Sequence, residues 1–541
     1  MGVPAIAGLC FLLSCRQDVL TAKNNLNAKE KLGKDSTGLT CSALPEIYSY
    51  QVYKMCSDGT YVGDLMPYYD AAGSNFKVFY LKNIWNDATN QRHPWYGFQS
   101  TDFSSYTEMT GGELLSCSTN GCDQDFSIGT GSVIKKDGTY YEFYSGHNPN
   151  YPSSCVSHAE GVMLATSSGL NQAFTKNTSF TTLYAPTGQG FDETNNFRDP
   201  YVFYDSGTSK YYMLVAARMN ENGTWRGVII DYTSTNLLNW TYQGVIYDGG
   251  AINYFMMETP QEVKIGNTYY LIFSDTNTKH YFYRKSSTVN GPWGYPAGYD
   301  RFEGNAMYAA KIASDNSGNN YIFGWTNTLQ NNVDTGAWQW GGNLVAHKLT
   351  QDANGDLSVS MPPAARSYLE NSVYPITINS QWGNVTNTIP GTNSYHIVSN
   401  ADMDISNVIF NPVALDRYKI SAIVNYASSS KDFGFMIGAC DGYNNFYSLR
   451  FVPSQNRFSF DKVNRSSLTT TTVPANDVPI TLSPNTNYNI DIVVENSMVV
   501  VYINNKVAMS SRIYKARRTN WGIFTDHSDV TFSYIDVKYH P

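Results

Sequence analysis

The chain has 541 residues, too long for one ordinary domain and long enough for two substantial cores. Hydrophobic residues make up 42%, charged residues only 15%, and the formal net charge is −8. This does not support nucleic-acid binding, which usually needs a basic face, and disfavours a polyanionic ligand. Tyr equals Gly at 42 copies, a composition suited to β-structure with aromatic surfaces that stack on sugars.

The N-terminus reads MGVPAIAGLCFLLSC, an apolar run ending in Leu12-Leu13-Ser14-Cys15. It resembles a bacterial lipoprotein signal with lipid on the Cys15 sulfur, which predicts export and a cell-surface or periplasmic location. No Lys or Arg precedes the run. The run is too short to span a membrane, so any membrane contact is expected only through that lipid anchor. The polar stretch that follows, to about residue 38, reads as a tether, and residues 1–40 are assigned to signal and tether. Cys117 and Cys122 flank a short Ser-Thr-Asn-Gly turn. They read either as a disulfide or as free thiols, and no zinc-like ligand spacing accompanies them.

From about Cys41 a strand-turn-strand pattern recurs roughly every 50–70 residues. Its copies start at Gly63, Gly129, Phe197, Met257 and Met307, each with a turn of Gly, Asn, Asp or Ser before an aromatic strand. Such periodic units predict a five-bladed β-propeller over residues 41–360. A Pro-containing junction, Met361-Pro362-Pro363-Ala364-Ala365-Arg366, then breaks the pattern. Alternating strands return in a different style, including a hairpin around Asn504-Asn505. Residues 361–541 therefore read as a β-sandwich, and the whole chain as all-β.

Three of the copies open with an acid: Asp64, Asp199 and Glu258. Propeller blades converge on a central channel, so matching positions on different blades face one another. Glycosidic bond hydrolysis generally needs two carboxyl groups about the anomeric carbon, one ionised and one protonated. Three gathered acids supply both, and crowding raises the pKa of at least one. Glu262, four residues beyond Glu258, is a rival for the acid role. No Gly-x-Ser-x-Gly elbow and no phosphate loop is present.

Gly63-Asp64, Phe197-Arg198-Asp199-Pro200 and Glu258-Thr259-Pro260 resemble the three acidic motifs of glycoside hydrolase family 32, the β-fructofuranosidases. Phe98-Gln-Ser-Thr-Asp102, Thr130-Gly131-Ser132, Pro362-Pro363 with Arg366, Val493-Val-Glu495-Asn and Ser511-Arg512-Ile513 are similar to further segments of that family. The resemblance runs from about residue 55 to the end. It implies a propeller plus sandwich and a retaining mechanism without cofactor or metal. In that mechanism Asp64 is the nucleophile, Glu258 the general acid/base and Asp199 the transition-state stabiliser. Arg198 would help keep Asp199 ionised, and the apolar neighbours Phe255, Met256 and Met257 would raise the pKa of Glu258.

Arg198, Thr130 and Ser132 are candidate sugar contacts, and Trp95, Trp85 and Tyr68 candidate stacking platforms. Each also has a plain packing or strand role as its alternative, and His147 reads as an ordinary loop histidine. The sequence departs from the family at the first acid, where Gly63 stands in place of Asn and Leu65-Met66-Pro67 follows. Leu81 replaces a Gln, and Thr259 a Cys. The expected substrate is a fructan, levan or inulin, or sucrose. A fructosyltransferase that can form a cyclic difructose, and a silent glycan-binding propeller, are the alternatives.

Overall fold

The computed structural model describes residues 49–83, 92–440, 444–515 and 518–541. Cys15 and Trp85 lie outside the described residues. Within these every paired strand is antiparallel, and the α-helix is one short stretch of chain, Pro363–Leu369, at the junction.

The first half is built of antiparallel meanders. Tyr61–Asp70 pairs with Asn75–Asn83, which pairs with Trp95–Ser100. Ser127–Lys136, Thr139–His147 and Glu160–Ser167 form the next meander. Phe197–Asp205, Lys210–Glu221, Thr224–Ser234 and Thr241–Tyr247 form another. Met257–Ile265, Thr268–Asp275 and Tyr281–Ser286 follow, then Met307–Ser314, Asn320–Leu329 and Trp338–Gln351. The last meander joins the first through Val62 and Gly342, so the two share one eight-stranded sheet. That join closes the ring. The opening strands touch one another in cyclic order, Tyr61–Asp70 to Ser127–Lys136 to Phe197–Asp205 to Met257–Ile265 to Met307–Ser314 and back.

Every one of these opening strands carries a register shift near its start. The shifts fall at Gly63/Leu65, Ile128/Gly131, opposite Leu214/Ala216 where Asp199-Pro200 intervenes, Glu258/Gln261 and Tyr308/Lys311. A bulge adds one residue to a strand and re-aims the side chains beside it. Asp199, Thr259 and Ala309 occupy the left-handed region at φ 62°, 50° and 53°. Non-glycine residues rarely take that conformation, and such strain clusters at functional sites.

The second half is two packed sheets. One orders Asn384–Asn387, Tyr395–Val398, Asp529–Tyr539, Arg417–Tyr426, Tyr488–Glu495, Met498–Ile503 and Val507–Arg512. The other orders Ile378–Trp382, Ile405–Phe410, Asn520–Asp526, Asp432–Cys440, Asn445–Val452, Arg457–Asp461 and Asn476–Pro479. Asn504 and Asn505, at φ 53° and 52°, make the tight turn expected between Met498–Ile503 and Val507–Arg512.

The two halves share a continuous core and a set of buried polar clamps. The Glu495 carboxylate accepts hydrogen bonds from the backbone N–H of Gln51 (2.6 Å), Val52 (3.0 Å) and Tyr53 (2.9 Å), and from Arg417 Nε (2.6 Å). Arg512 donates to the carbonyls of Thr326 (3.0 Å) and Asn327 (2.9 Å). Glu303, on the propeller side, accepts from Ser510 N at 2.7 Å and lies 2.8 Å from His347 Nε2. The Val493-Val-Glu495-Asn and Ser511-Arg512-Ile513 segments thus tie one domain to the other.

Cys117 and Cys122 are not bonded to each other. Cys122 bonds to Cys155, 33 residues on, with Cα atoms 5.4 Å apart, and Cys117 is a free thiol. The loop after His147 brings Cys155 back to the Cys122 turn, held by Asn148 and Asn150 side chains donating to the Gly121 carbonyl.

Candidate active site

The bulged strand starts converge on a cavity of about 450 Å³. Asp64, Asp199 and Glu258 all line it, together with Thr130, Ser145, His147, Glu160, Arg198, His93 and Trp340. Glu262, the rival acid, does not. It is buried, accepting from Asn290 N at 3.1 Å, because the bulge between Glu258 and Gln261 turns it off the pocket face.

Each acid is held by a different strand. Asp64 Oδ1 accepts from Trp325 Nε1 at 2.9 Å, and Oδ2 accepts from Thr130 Oγ1. Asp199 Oδ2 accepts from Thr259 N at 2.9 Å, while Asp199 N donates to Ser145 Oγ at 2.8 Å. Glu258 Oε1 accepts from Arg198 Nη2 at 2.6 Å and Oε2 from the Tyr308 hydroxyl. Arg198 also reaches Glu160, with Nη1 3.2 Å from each carboxylate oxygen, and Phe197 N donates to Glu160 at 2.9 Å. Arg198 therefore spans two carboxylates and stands 3.9 Å from a third, Asp199.

The electrostatics follow from burial. Burial pushes the Asp199 carboxyl up to about 7; Arg198 opposes this, and Glu258 and Asp64 add to it. Arg198 favours the ionised form of Asp199, as expected, but desolvation outweighs the neighbouring guanidinium. Burial also raises Asp64, against the pull of its Thr130 and Trp325 donors. Beneath the acids Lys311 donates from Nζ to the Gly131 carbonyl at 3.0 Å. Burial draws its pKa down to about 8, although Asp199 and Asp64 favour its charged form. The environment of Glu258 is not the one its neighbours in sequence predict. Met256 and Met257 are fully buried and Phe255 lies against Arg218, whereas the Glu258 carboxylate sits between Arg198 and Tyr308.

Among the predicted sugar contacts, Arg198 and Thr130 line the cavity. Ser132 is buried in the wall, donating to the Pro200 carbonyl at 3.0 Å and accepting from Val202 N at 2.9 Å, so it joins two opening strands. Trp95 is not a platform. It is fully buried among Met66, Phe79, Leu115 and Ile128, and its Nε1 donates to the Gly129 carbonyl at 3.1 Å. Tyr68 packs edge-on against Tyr140 at 5.9 Å in the same cluster, away from the cavity. The aromatic wall of the cavity is instead Trp340, with His93 stacked on it at 4.4 Å.

Gly63 explains how Trp340 gets there. A Cβ at position 63 would fall 2.0 Å from the end of the indole. The residue that departs from the family at the first acid is the one that lets an indole lie against the backbone beside Asp64. Leu81, the second departure, lines the cavity as an apolar wall. His147 also lines it, 3.8 Å from Glu160, with its pKa lowered by burial. Glu160, Tyr308, Trp325, Lys311 and Trp340 were not singled out from sequence. Lys311 alone carried a signal there, a cation within the otherwise apolar opening strand MYAAKIAS.

Comparison with known proteins fits this geometry. The glycosyl hydrolases family 32 N-terminal domain matches residues 67–359, and the C-terminal domain described as GH32, BT1760-like matches residues 355–538. The N-terminal match begins just past Asp64, where the first motif departs. A sucrose-6-phosphate hydrolase of Escherichia coli is 26% identical over 203 residues, 35% of this chain and 41% of that protein. The aligned part thus spans about two fifths of the length of that curated relative. A sucrose-6-phosphate hydrolase from Lactobacillus gasseri shares the fold at a TM-score of 0.65 and 18% identity, over 91% of this chain and 93% of that one. Fructan 1-exohydrolase IIa from Cichorium intybus does so at 0.68 and 16%, over 92% and 98%. With the two family domains together running from residue 67 to 538, the chain belongs to the glycosyl hydrolases of family 32.

Proposed function

We propose that the protein is a retaining β-fructofuranosidase acting on fructan chains of the levan or inulin type. The observation that carries this is the meeting of Asp64, Asp199 and Glu258, from three separate strands, around one cavity. In this reading an Asp64 oxygen attacks the anomeric carbon of a terminal or internal fructosyl unit. Glu258 gives its proton to the departing glycosidic oxygen, leaving a fructosyl ester on Asp64. Water, deprotonated by Glu258, then releases the sugar and restores the Asp64 carboxylate. Arg198 and Tyr308 fix the two oxygens of Glu258, and Asp199 holds fructose hydroxyls as charge develops on the ring.

A polymeric substrate is supported by the surface near the acid. Phe255, three residues before Glu258, and Trp225 are both exposed, with the Arg218 guanidinium 4.0 Å and 5.8 Å from their ring centroids. Exposed aromatic faces of this kind stack on sugar rings beyond the one being cleaved. Incubation with levan, inulin and sucrose, with products resolved by chromatography, tests the reading. Fructan consumption to fructose or to a ladder of oligosaccharides is expected. Consumption of sucrose alone would overturn the fructan assignment, and cyclic or elongated products would make the enzyme a transferase. The apolar run before Cys15 supports export with lipid on that cysteine. Loss of palmitate labelling in Cys15→Ser would bear on it directly.

A further inference from the structure

Away from the catalytic cavity, one face of the sandwich holds a second concavity of about 340 Å³. Its walls come from the junction helix and from Arg417–Tyr426, Tyr488–Glu495 and Asp529–Tyr539 of one sandwich sheet. Three cations line it, Arg366, Lys419 and Lys538, and three anions, Glu370, Asp491 and Asp536. The charges are interleaved. Arg366 Nη1 lies 2.7 Å from Asp491, and Lys419 Nζ lies 2.8 Å from both Asp491 and Glu370. Lys538 is 3.3 Å from Asp536, whose other oxygen is buried and has no hydrogen-bond partner.

At the rim stands Tyr534, 56% exposed. Its backbone is left-handed, φ 53°, at a bulge opposite Ser421/Ile423. That conformation is pinned by Tyr534 N donating to Ser394 Oγ at 2.9 Å and Ile535 N donating to the Asn393 carbonyl at 2.9 Å. A large aromatic in this conformation is uncommon, and here the result is a ring presented to solvent beside a polar hollow.

We infer that this hollow is a non-catalytic site for a neutral oligosaccharide, with Tyr534 as stacking platform and the interleaved ion pairs as hydroxyl partners. Balanced charge argues against an anion or a cation as ligand. Sugar hydroxyls both donate and accept, so they bridge alternating carboxylates and ammonium groups. An aromatic face over a polar floor suits a sugar ring, apolar on one side and hydroxylated at its edge. The site would tether the domain to polymer while cleavage proceeds elsewhere.

The choice of fructan as first probe rests on the functional reading above, so the test uses unrelated neutral glycans as well. Native gels containing levan, inulin, an α-glucan or a β-glucan are run with the full chain and with Tyr534→Asn. Asn accepts a left-handed backbone, so this variant removes the ring without straining the bulge. The expected result is retardation of the parent by at least one glycan. The variant should bind that glycan roughly tenfold more weakly, the scale of losing an aromatic anchor, with an unchanged Tm. Its rate on a small fructoside should match the parent. Tyr534-dependent retardation by another glycan but by no fructan would keep this site and count against the fructan reading. Equal retardation of both proteins on every glycan, or none of either, would overturn the proposal.

Discussion

The catalytic cavity and the seam between the domains both bury several charged groups, and they treat them oppositely. At the seam Glu495 is fully buried but receives three backbone N–H bonds and one guanidinium N–H, so its acceptor sites are filled. In the cavity Asp64, Glu160, Asp199 and Glu258 share two cations among the described residues, Arg198 and Lys311. Burial then lifts Asp199 and Asp64, because desolvation exceeds what their donors return. A buried charge with every partner in place is architecture. Buried carboxylates left short of partners around a cavity are poised for chemistry, and their strained bulges point the same way.

The contrast is sharpest when one acid is removed from each region. Asp64→Asn keeps the shape but removes the proposed nucleophile, and activity on any fructoside is expected to fall by roughly 10³-fold or more with Tm nearly unchanged. A rate within tenfold of the parent would exclude Asp64 from that role. Glu495→Gln should behave in reverse. It leaves Arg417 and three backbone donors facing one amide oxygen, and a broken buried pair costs on the order of 3 kcal/mol. Thermal unfolding should shift down by several degrees, while KM for a small fructoside at low temperature stays the same.

The legible part of the site follows from the same physics. Asp64, Asp199 and Glu258 were readable because each opens a repeat, and repeats map to equivalent positions around a ring. Their partners were not readable, because Trp325, Tyr308 and Glu160 sit in strands whose sequence gives no hint of which neighbouring meander they face. Trp95 misled because an aromatic near an acid motif has the same composition whether it lines a cavity or fills a core. Cys155 was missed because pairing with Cys122 depends on a loop returning over 33 residues, which spacing alone does not encode. The two-domain, all-β architecture was legible because turn punctuation and strand alternation are local signals. The sharing of one sheet by the first and last meanders is a long-range closure, and local signals carry none of it.

Between the extremes lies Lys311, buried like a seam residue but serving the cavity. Its positive charge lowers the cost of ionising Asp199 and Asp64. Lys311→Met should therefore raise both carboxyls further, by about one pH unit on the scale of a nearby opposite charge. Because Asp199 is protonated below about 7, the acidic limb of kcat/KM should move upward, with the plateau rate less affected. An unmoved limb would mean the lysine acts only through its bond to the Gly131 carbonyl.

Glu262 supplies the smallest and most selective contrast, a buried carboxyl on the catalytic strand but outside the cavity. Burial raises it from 4.5 to about 8, with Asn290 N donation opposing. A raised acid favours the folded state fully below its unfolded value, and that contribution is lost as pH climbs through the folded value. Asp231, linked to the same Asn290 and raised by burial to about 6, loses its share lower in the range, and Asp199 by about 7. Across pH 7 to 8 Glu262 still loses stability, together with Glu142, whose fully buried carboxyl is raised well above its usual value. Glu262→Gln, neutral at every pH, should flatten the fall in Tm across that interval, a difference of about 1 kcal/mol at one pKa unit. Its kcat/KM profile should match the parent, because the proton it removes is not one the cavity uses. A variant that moved the profile instead would return Glu262 to contention as the acid.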